Sequence, residues 1–305
     1  EDNLFHLLPE ILEQDYPEYE VIVVNHQSID DSEHILKAFE RRYNHLKVIN
    51  LEKSAHLKNG KKLPITIGVK GAKFEHLLFT DADCKPNSKQ WLREMASQFT
   101  DKKQLVLGYG PYKKSKGLLN KIVRLDTAQI AINYLSFAKA GLPYMGVGRN
   151  LAYTKSLFLK VDGFKSHYGL QSGDDDLFVQ EAAKKRNYTV CLIPEAFCYS
   201  EAKKTWKDWY RQKTRHFTTT ERYPVIKKWL LGIYPLTLLL MYITFVTLLL
   251  LVELNIFTLA LFGFIFILKW VVDAFCFAKL VEKEFIWLLP FWDILYALLA
   301  PIIYY

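Results

Sequence analysis

The chain has 305 residues, enough for one large domain with appendages, and half of its residues are hydrophobic. Its formal charge is +8 at pH 7, but no aromatic-basic motif of a known nucleic-acid-binding module accompanies that charge, so nucleic acid is not an expected partner. The four cysteines have neither zinc-ribbon nor redox spacing and are predicted to be reduced and structural.

Helix and strand patterns alternate in the first part of the chain. An apolar stripe at helical spacing over 4–12 ends before Pro17, and residues 30–32 can begin a second helix. Such βα units favour parallel strands, and ligands of such sheets collect at the carboxyl ends of the strands. The predicted strands lie at 19–24, 47–51 and 77–80, and a third helix lies at 65–74.

Two carboxylates follow the strand at 77–80. Asp81 and Asp83 are spaced by one residue, and an extended chain turns alternate side chains to the same side. Mg2+ and Mn2+ in nucleotide sites are held by one or two carboxylates together with phosphate oxygens. The pair therefore predicts either a site for a metal ion and a nucleotide or an acidic strand-to-turn junction without a ligand.

Three consecutive carboxylates, Asp174 to Asp176, follow Gly173 and precede a predicted helix at 177–183. Carboxylates stabilise the start of a helix, which accounts for at least one of the three. Clustered like charges also raise the pKa of one member, which suits a general base. The cluster is consistent with a helix start, with a catalytic base, or with both.

The last quarter of the chain consists mostly of Leu, Ile, Phe, Val and Tyr. The uncharged run at 230–252 exceeds the roughly 18 residues that indicate a transmembrane helix. A second run at 256–278 contains Lys269 and Asp273, one helical turn apart, which are expected to pair inside a bundle. A third run at 285–305 is interrupted by proline and aspartate and is predicted to span the membrane or to lie at its surface. We expect three membrane segments.

Basic residues flank these segments on one side. Because cytoplasmic loops carry the excess of Lys and Arg, the large domain is predicted to be cytoplasmic and the chain to be multi-pass in the inner membrane. The loop at 253–255, by contrast, is acidic to uncharged. A basic surface also attracts anionic lipid headgroups and suits phosphate-bearing substrates. The flanking residues are Arg211, Lys213, Arg215, Arg222, Lys227 and Lys228, then Lys279 and Lys283.

Five short motifs occur in the order in which one enzyme family has them. They are QDYP-EYEVIVVNHQSIDDS (14–32), TDADCKP (80–86), GRNLAY (148–153), GDDDL (173–177) and QKTRH (212–216). With these motifs the chain resembles the family 2 glycosyltransferases, inverting enzymes that move a sugar from a nucleotide diphosphate to an acceptor, and specifically their membrane-anchored bacterial members. The resemblance implies a GT-A fold, which is an α/β domain with a Rossmann-like, doubly wound mixed sheet, followed by a C-terminal transmembrane helical region.

The resemblance also implies roles for the acidic residues. Asp83 is expected to ligate Mg2+ or Mn2+, and Asp81 to contact ribose or metal-bound water. The family's base corresponds to Asp175, with Asp174 and Asp176 as alternatives. The cation would neutralise the departing nucleoside diphosphate, while the base takes the proton of the acceptor hydroxyl.

By the same resemblance, the loop after the first strand is expected to hold the nucleotide of the donor. Asn25 and His26 stand where the family commonly has two acidic residues. Asp31 keeps an acidic position in the loop, although a role in capping the next helix would also explain it. Lys61 resembles the family's lysine that approaches the diphosphate, and a solvated charge run with Lys62 is the alternative.

Two further motifs are expected near the acceptor and the diphosphate. Arg149 and Asn150 correspond to the loop that borders the donor sugar and the acceptor. Gln212, Arg215 and His216 match the Gln-x-x-Arg-Trp signature of processive polymerases except that His replaces Trp, which leaves processive growth open. The guanidinium group of Arg215 suits bidentate binding of a diphosphate.

The sequence thus predicts three parts: a GT-A domain at 1–204 that lacks the family's N-terminal strand, an interfacial amphipathic helix at 205–228, and a transmembrane region at 229–305. The predicted function is inverting, metal-dependent transfer from a nucleotide-sugar donor to a lipid-linked or polysaccharide acceptor at the membrane bilayer. The alternatives are a non-catalytic nucleotide-sugar-binding membrane protein and a glycoside hydrolase, which also uses paired carboxylates.

Overall fold

The computed structural model describes residues 1–51, 60–251 and 255–304, with side chains described up to residue 298. The chain divides into two compact units, Glu1–Thr219 and Thr220–Tyr305. The three-part division predicted from the sequence, with boundaries at 204 and 228, stays a prediction. The loop predicted at 253–255 lies largely outside the described residues.

The amino-terminal part of the first unit contains a small parallel sheet and two helices. Its elements are helix α1 (Asp2–Leu12), strand β1 (Val21–His26), helix α2 (Ser32–Arg42) and strand β2 (Leu46–Leu51). β1 and β2 pair in parallel, with Val21 opposite Leu46. Leu8, Leu12 and Leu36 pack with Leu46 in one buried cluster. The helical stripes predicted from the sequence therefore do bury one face of each helix.

Among its described residues, the first unit contains six further strands and six further helices. The strands are β3 (His76–Phe79), β4 (Cys84–Pro86), β5 (Leu105–Leu107), β6 (Leu151–Thr154), β7 (Tyr188–Val190) and β8 (Cys198–Ser200). The helices are α3 (Lys62–Gly71), α4 (Trp91–Ala96), α5 (Leu118–Lys139), α6 (Lys155–Lys160), α7 (Asp176–Ala182) and α8 (Trp206–Phe217).

A four-stranded mixed sheet in the order β3-β6-β5-β7 lies at the centre of this unit. β6 is antiparallel to both of its neighbours, whereas β5 and β7 are parallel. β4 and β8 form a separate antiparallel pair. The parallel pairing expected from the βα units therefore holds for β1 and β2, but β3 pairs with the antiparallel β6. The chain reaches β6 through the long helix α5 and a turn, and it runs back along β3 instead of crossing over in parallel.

This antiparallel pairing determines which loops meet. Phe79 at the end of β3 and Leu107 at the end of β5 both pair with Leu151 at the start of β6. The residues that follow β3 and β5 and the residues that precede β6 therefore lie at one edge of the sheet. We call it the acidic edge, because Asp81 and Asp83 follow β3 there.

The strand β5 lies in the core, since all three of its residues are fully buried. A second buried cluster contains Trp91 and Met95 of α4 together with Cys84 and Cys198. All four cysteines are free thiols, and three of them are buried, in agreement with the structural role predicted from their spacing.

Strands β1 and β3 both line a cavity of about 670 Å3 in the first unit. Within the described ranges β1 pairs with β2 alone and β3 with β6 alone, so each of the two strands has one unpaired edge. The wall is apolar along much of the strands, for example at Val23 and Leu77, and it is polar at Asn25, Lys61 and Asp81. The cavity therefore joins the loop after β1 to the loop after β3.

The second unit contains helices α9 (Val225–Leu251), α10 (Ile256–Lys279) and α11 (Leu289–Tyr304). In the described part of the chain α9 and α10 are long and apolar enough to cross a membrane, each with a mean hydropathy of 2.1. The third predicted segment is different, since α11 has 16 residues after a 3-10 helix at Lys283–Leu288. The third predicted membrane segment therefore stays a prediction.

Candidate active site

The acidic edge is built from four segments that are distant in the sequence. Asp81 and Asp83 follow β3, and Gly148–Asn150 forms a 3-10 turn just before β6. Asp174 lies with Lys61 and Gly148 in the wall of the cavity. A Cβ atom on Gly148 would lie 3.7 Å from Oδ2 of Asp175 and 3.8 Å from Oδ2 of Asp174. The two predicted acidic patches are therefore on the same side of the molecule.

Asp81 and Asp83 bring their carboxylate oxygens together with Sγ of Cys84, all within 4.8 Å of one another. The turn between β3 and β4 is closed by the Cys84 amide, which donates to the Asp81 carbonyl at 3.0 Å. The Cys84 thiol is fully buried, and a hydrogen bond with Cys198, followed by burial, raises its pKa. The carboxylate oxygens of Asp81 and Asp83 suit a hard divalent cation.

Lys61 links the two acidic patches. Its ammonium group donates to Oδ1 of Asp81. Desolvation lowers the pKa of Lys61, but the carboxylates of Asp81, Asp174 and Asp175 outweigh it and raise the pKa above its ordinary value. Lys61 is thus a cation at a point where the two acidic patches meet. Its neighbour Lys62 is buried, so the alternative of a solvated charge run does not describe Lys62, whereas the side chain of Lys61 is 55% exposed.

Asp174 and Asp175 have different surroundings. Oδ1 of Asp175 accepts from the Asp176 amide at 2.8 Å and caps α7, and Oδ2 accepts from the Gly148 amide at 3.1 Å. Asp174 lines the cavity. Desolvation, followed by repulsion from Asp175, raises the pKa of Asp174 to about 6, although Lys61 acts in the opposite direction.

The third carboxylate of the cluster, Asp176, is buried and accepts a hydrogen bond from the Thr219 hydroxyl. It thus ties the end of α8 to the start of α7. The cluster contains one buried structural carboxylate, one capping carboxylate and one that faces the cavity. The helix-start role predicted from the sequence is thus seen at Asp175, and the role of a catalytic base stays a prediction.

Arg149 and Asn150 follow Gly148 but face different environments. Nε of Arg149 donates to the Gly110 carbonyl at 2.8 Å, and its guanidinium lies 4.8 Å from the centre of the Tyr112 ring. Asn150 is fully buried. Its Nδ2 donates to the carbonyls of Tyr109 and Ala196, both at 2.8 Å, and its Oδ1 accepts from Nε1 of Trp91 at 3.0 Å. The structure brings Arg149 to the acidic edge and places Asn150 behind it, with both ends of its amide occupied.

The end of β1 contributes Asn25 and His26 to the wall of the cavity. The amide of Asn25 donates to Oδ1 of Asn50, the residue opposite it on β2, at 3.0 Å. Asp31 lies at the start of α2, but its side chain makes no capping hydrogen bond; Asp30 accepts from the Ser32 amide at 3.2 Å instead. Asp31 is not among the residues that line the described cavity.

Helix α8 carries the predicted Gln-x-x-Arg-His motif. Gln212 donates to the Tyr112 hydroxyl at 3.1 Å, and the ring of Tyr112 in turn contacts Arg149. Partial desolvation lowers the pKa of His216, while the nearby Asp175 carboxylate raises it. Gln212 therefore lies near the acidic edge and His216 lies near Asp175, while the side chains of both Arg215 and His216 are exposed.

Two features of this edge were not recognised in the sequence. One is the ion pair between Lys213 and Asp126, which holds α8 against α5. The other is a pair of glycines after β5: a Cβ on Gly108 would lie 2.6 Å from the Asn150 amide, and one on Gly110 would lie 2.5 Å from Nε of Arg149. The spacing Gly108-Tyr-Gly110 after a buried strand was the available signal, because glycine permits such close approach.

Comparison with known proteins identifies the class. Residues 78–300 match the family model described as Glycosyl transferase family group 2, which covers well over half of the chain. The chain belongs to this family, as the motifs predicted. It is 24% identical over 217 residues to "Probable glycosyltransferase YdaM" of Bacillus subtilis (strain 168), a match that covers 68% of this chain and 49% of that protein. The chain therefore spans about half the length of this curated relative.

Two solved structures resemble the chain. Mannosyltransferase PcManGT from Pyrobaculum calidifontis, in complex with GDP-Man and Mn2+, aligns with a TM-score of 0.56 at 16% identity, over 97% of this chain and 83% of that chain. S. aureus TarS 1-349 in complex with UDP-GlcNAc aligns with a TM-score of 0.49 at 22% identity, over 70% of this chain and 61% of that chain. The first match confirms the GT-A fold predicted from the motifs.

Proposed function

We propose that this glycosyltransferase is an inverting, metal-dependent enzyme that transfers a sugar from a nucleotide-diphosphate donor to a membrane-associated acceptor. The observation that carries the proposal is the meeting of two acidic patches at Lys61. Asp81 and Asp174 are far apart in the sequence, yet both line the polar end of one cavity. A transfer reaction needs this convergence, because the leaving group and the acceptor hydroxyl must flank a single reacting carbon.

The cation site is assigned to Asp81 and Asp83, and Mg2+ or Mn2+ suits their oxygen ligands. Asp81 lines the cavity, and phosphate oxygens in the cavity would complete the ligand set, which is how such cations are held in nucleotide sites. A solved relative contains GDP-Man and Mn2+, which supports a nucleotide sugar and a divalent cation here. When bound, the cation would supply positive charge to the departing diphosphate.

The donor is assigned to the cavity between the loop after β1 and the loop after β3. Asn25 and His26 would contact the nucleotide, and Lys61 would approach the diphosphate once it exchanges its contact with Asp81 for phosphate oxygens. Arg149 is fixed at the same edge by Gly110 and Tyr112 and adds a second cation there. Positive charge aimed at the leaving group stabilises the charge that grows there in the transition state.

We assign the role of base to Asp174 in preference to Asp175. Both oxygens of Asp175 already accept backbone hydrogen bonds, which fixes that carboxylate in place. Asp174 faces the cavity, and its pKa of about 6 suits a base that works near neutral pH. In a single displacement the acceptor hydroxyl gives its proton to Asp174 as its oxygen attacks the anomeric carbon, and the bond to the diphosphate breaks on the opposite face.

A membrane-associated acceptor is supported by two features. Helices α9 and α10 have the length and composition of membrane spans. Helix α8 exposes Trp206 and Tyr210, at 51% and 71%, on a surface that also carries Lys207 and Arg211. Aromatic and basic side chains in this combination are typical of helices that lie in a membrane interface. We place the enzyme in the inner membrane with its catalytic unit in the cytoplasm, where a lipid-linked or polysaccharide acceptor is within reach.

The test is release of nucleoside diphosphate by the full chain in membranes, with a panel of nucleotide sugars and with Mn2+ or Mg2+. Asp83→Ala and Asp174→Asn should each reduce release by at least about 100-fold, because each removes a group that acts in the transition state. Asp101→Asn, an exposed carboxylate elsewhere in the unit, is the matched control. Release that survives Asp83→Ala would remove the cation site from the proposal, and release that survives Asp174→Asn would remove the base.

A further inference from the structure

The side chain of Lys62 is buried and bonded to the backbone of a distant segment. It is only 4% exposed. Its Nζ donates three hydrogen bonds to backbone carbonyls, to His167 at 2.5 Å, to Leu170 at 3.0 Å and to Ser172 at 2.8 Å. A protonated lysine has three N–H groups and no acceptor, so these three carbonyls satisfy the whole group.

Three converging carbonyl groups of this kind suit the ammonium group of a lysine side chain. A buried ammonium group is costly unless each N–H group is hydrogen-bonded, and bonds from a charged donor are about twice as strong as neutral ones. Desolvation lowers the pKa of Lys62, and the carboxylates of Asp174, Asp176 and Asp175 act against that effect. The carbonyls and nearby carboxylates therefore stabilise a positive charge at this position.

The three carbonyls belong to the segment that leads into the acidic cluster. A 3-10 turn ends at His167, and Gly173, with φ of +101°, turns the chain into Asp174. Between these points the chain forms no helix or strand among the described residues. Lys62 thus binds this segment at its start, its middle and its end. We call residues 167–173 the acceptor loop.

The neighbouring residue binds the other acidic patch. Lys61 donates to Asp81, and Lys62 donates to the acceptor loop just before Asp174. Two consecutive residues at the start of α3 therefore reach the two sides of the proposed reaction centre. A shift of the acceptor loop would move Asp174 relative to Asp81, and a misplacement of about 1 Å at a reacting centre can reduce the rate about 100-fold.

We propose that Lys62 is a positioning residue that sets the separation between the acceptor-side carboxylates and the cation-side carboxylates. This inference rests on the proposed function for its effect on rate, but its effect on the acceptor loop is independent of any activity. The Gly148 amide provides a direct signal, because it is bonded to Oδ2 of Asp175. If Lys62 holds the loop, removing its ammonium group releases both the loop and that amide.

The experiment compares Lys62→Met, Lys62→Arg and Lys62→Gln with Lys70→Met in the full chain in nanodiscs. Lys70 is the matched control, since it is an exposed lysine in the last turn of the same helix. Hydrogen exchange is followed in peptides that cover 146–150 and 167–175, together with Mn2+ affinity, kcat and the KM for the donor. Lys62→Gln retains two N–H donors and serves as the milder variant if Lys62→Met does not fold.

We expect Lys62→Met to speed exchange in both peptides and to lower kcat by roughly 10- to 100-fold, with Mn2+ affinity and donor KM changed less than about threefold. Lys62→Arg should restore part of the protection, and Lys70→Met should behave as the parent chain. Unchanged exchange and kcat in both Lys62→Met and Lys62→Gln would overturn the inference. Faster exchange in a chain that shows no transfer at all would instead retain the loop role and refute the proposed function.

Discussion

The ammonium group of Lys61 is hydrogen-bonded to Oδ1 of Asp81, so a lysine already neutralises one of the two carboxylates assigned to the cation. A divalent cation at Asp81 must displace this ammonium group or share the carboxylate with it. The displaced lysine is then available to the diphosphate. This exchange would couple cation binding to donor binding at one side chain.

Lys61→Met should therefore separate the two binding events. Without the competing ammonium group, Mn2+ affinity should rise by about two- to fivefold, the range of an exposed ion pair. Donor affinity should fall in the same variant, because the diphosphate loses a cationic partner. Both affinities can be measured by calorimetry on the full chain, with Lys73→Met as the control, since Lys73 forms an exposed ion pair with Glu18. A parallel fall of both affinities would contradict the exchange.

The raised pKa of Asp174 predicts that the stability of the fold depends on pH. Its pKa in the fold is about 6, above the ordinary 3.8, so between these values the folded state holds a proton that the unfolded state has released. The free energy of unfolding should therefore fall as the pH rises from about 4 to about 6, by at most about 3 kcal/mol for two pKa units. Asp174→Asn removes this titration.

The measurement is denaturant unfolding of the parent chain and of Asp174→Asn between pH 4 and 7, without cation or donor. The variant should show a flatter profile and should be the more stable of the two at pH 7. Asp162→Asn, a change at an exposed carboxylate, controls for the general loss of one negative charge. Identical profiles for the parent chain and Asp174→Asn would mean that the Asp174 carboxyl group is not desolvated.

Much of this edge follows from local patterns in the sequence. The position of Asp81 and Asp83 at the end of a strand was predictable, because alternate residues of an extended chain point to the same side. The contacts of Lys62 were not, since its partners are backbone carbonyls 105 to 110 positions further along the chain, and any residue type supplies a carbonyl. Arg149 and Asn150 are both polar residues, so the sequence does not tell which of them is buried. Only the packing around Trp91 places Asn150 in the core. The antiparallel pairing of β3 and β6 likewise depends on a partner that follows α5, beyond the range of local periodicity.

The fold should be destabilised by the addition of a single methyl group at Gly108. A Cβ there would lie 2.6 Å from both Nδ2 and the carbonyl oxygen of Asn150, which are held by the core and cannot withdraw. Gly108→Ala should lower the free energy of unfolding by about 1–3 kcal/mol, the range for overpacking in a filled core. Gly169→Ala is the control, because nothing lies within 4 Å of the added carbon. Equal thermal stability of the two variants would mean that the turn at Gly148–Asn150 is not fixed by this contact.

The second unit contains a charged cluster in which Lys269 donates to Asp273 on its own helix and to Asp293 on α11, the latter at 2.6 Å. All three side chains are at most 17% exposed. Removing one member of a buried ion pair leaves an uncompensated charge, which costs about 3–5 kcal/mol, whereas replacing all members with apolar residues is often neutral.

Lys269→Met should therefore lower the thermal unfolding temperature in detergent more than the triple change Lys269→Met, Asp273→Leu, Asp293→Leu does. Lys279→Met, at an exposed lysine of the same helix, is the control. If the triple variant is the less stable one, the cluster contributes packing or hydrogen bonds beyond charge balance, and the pairing of α10 with α11 depends on it.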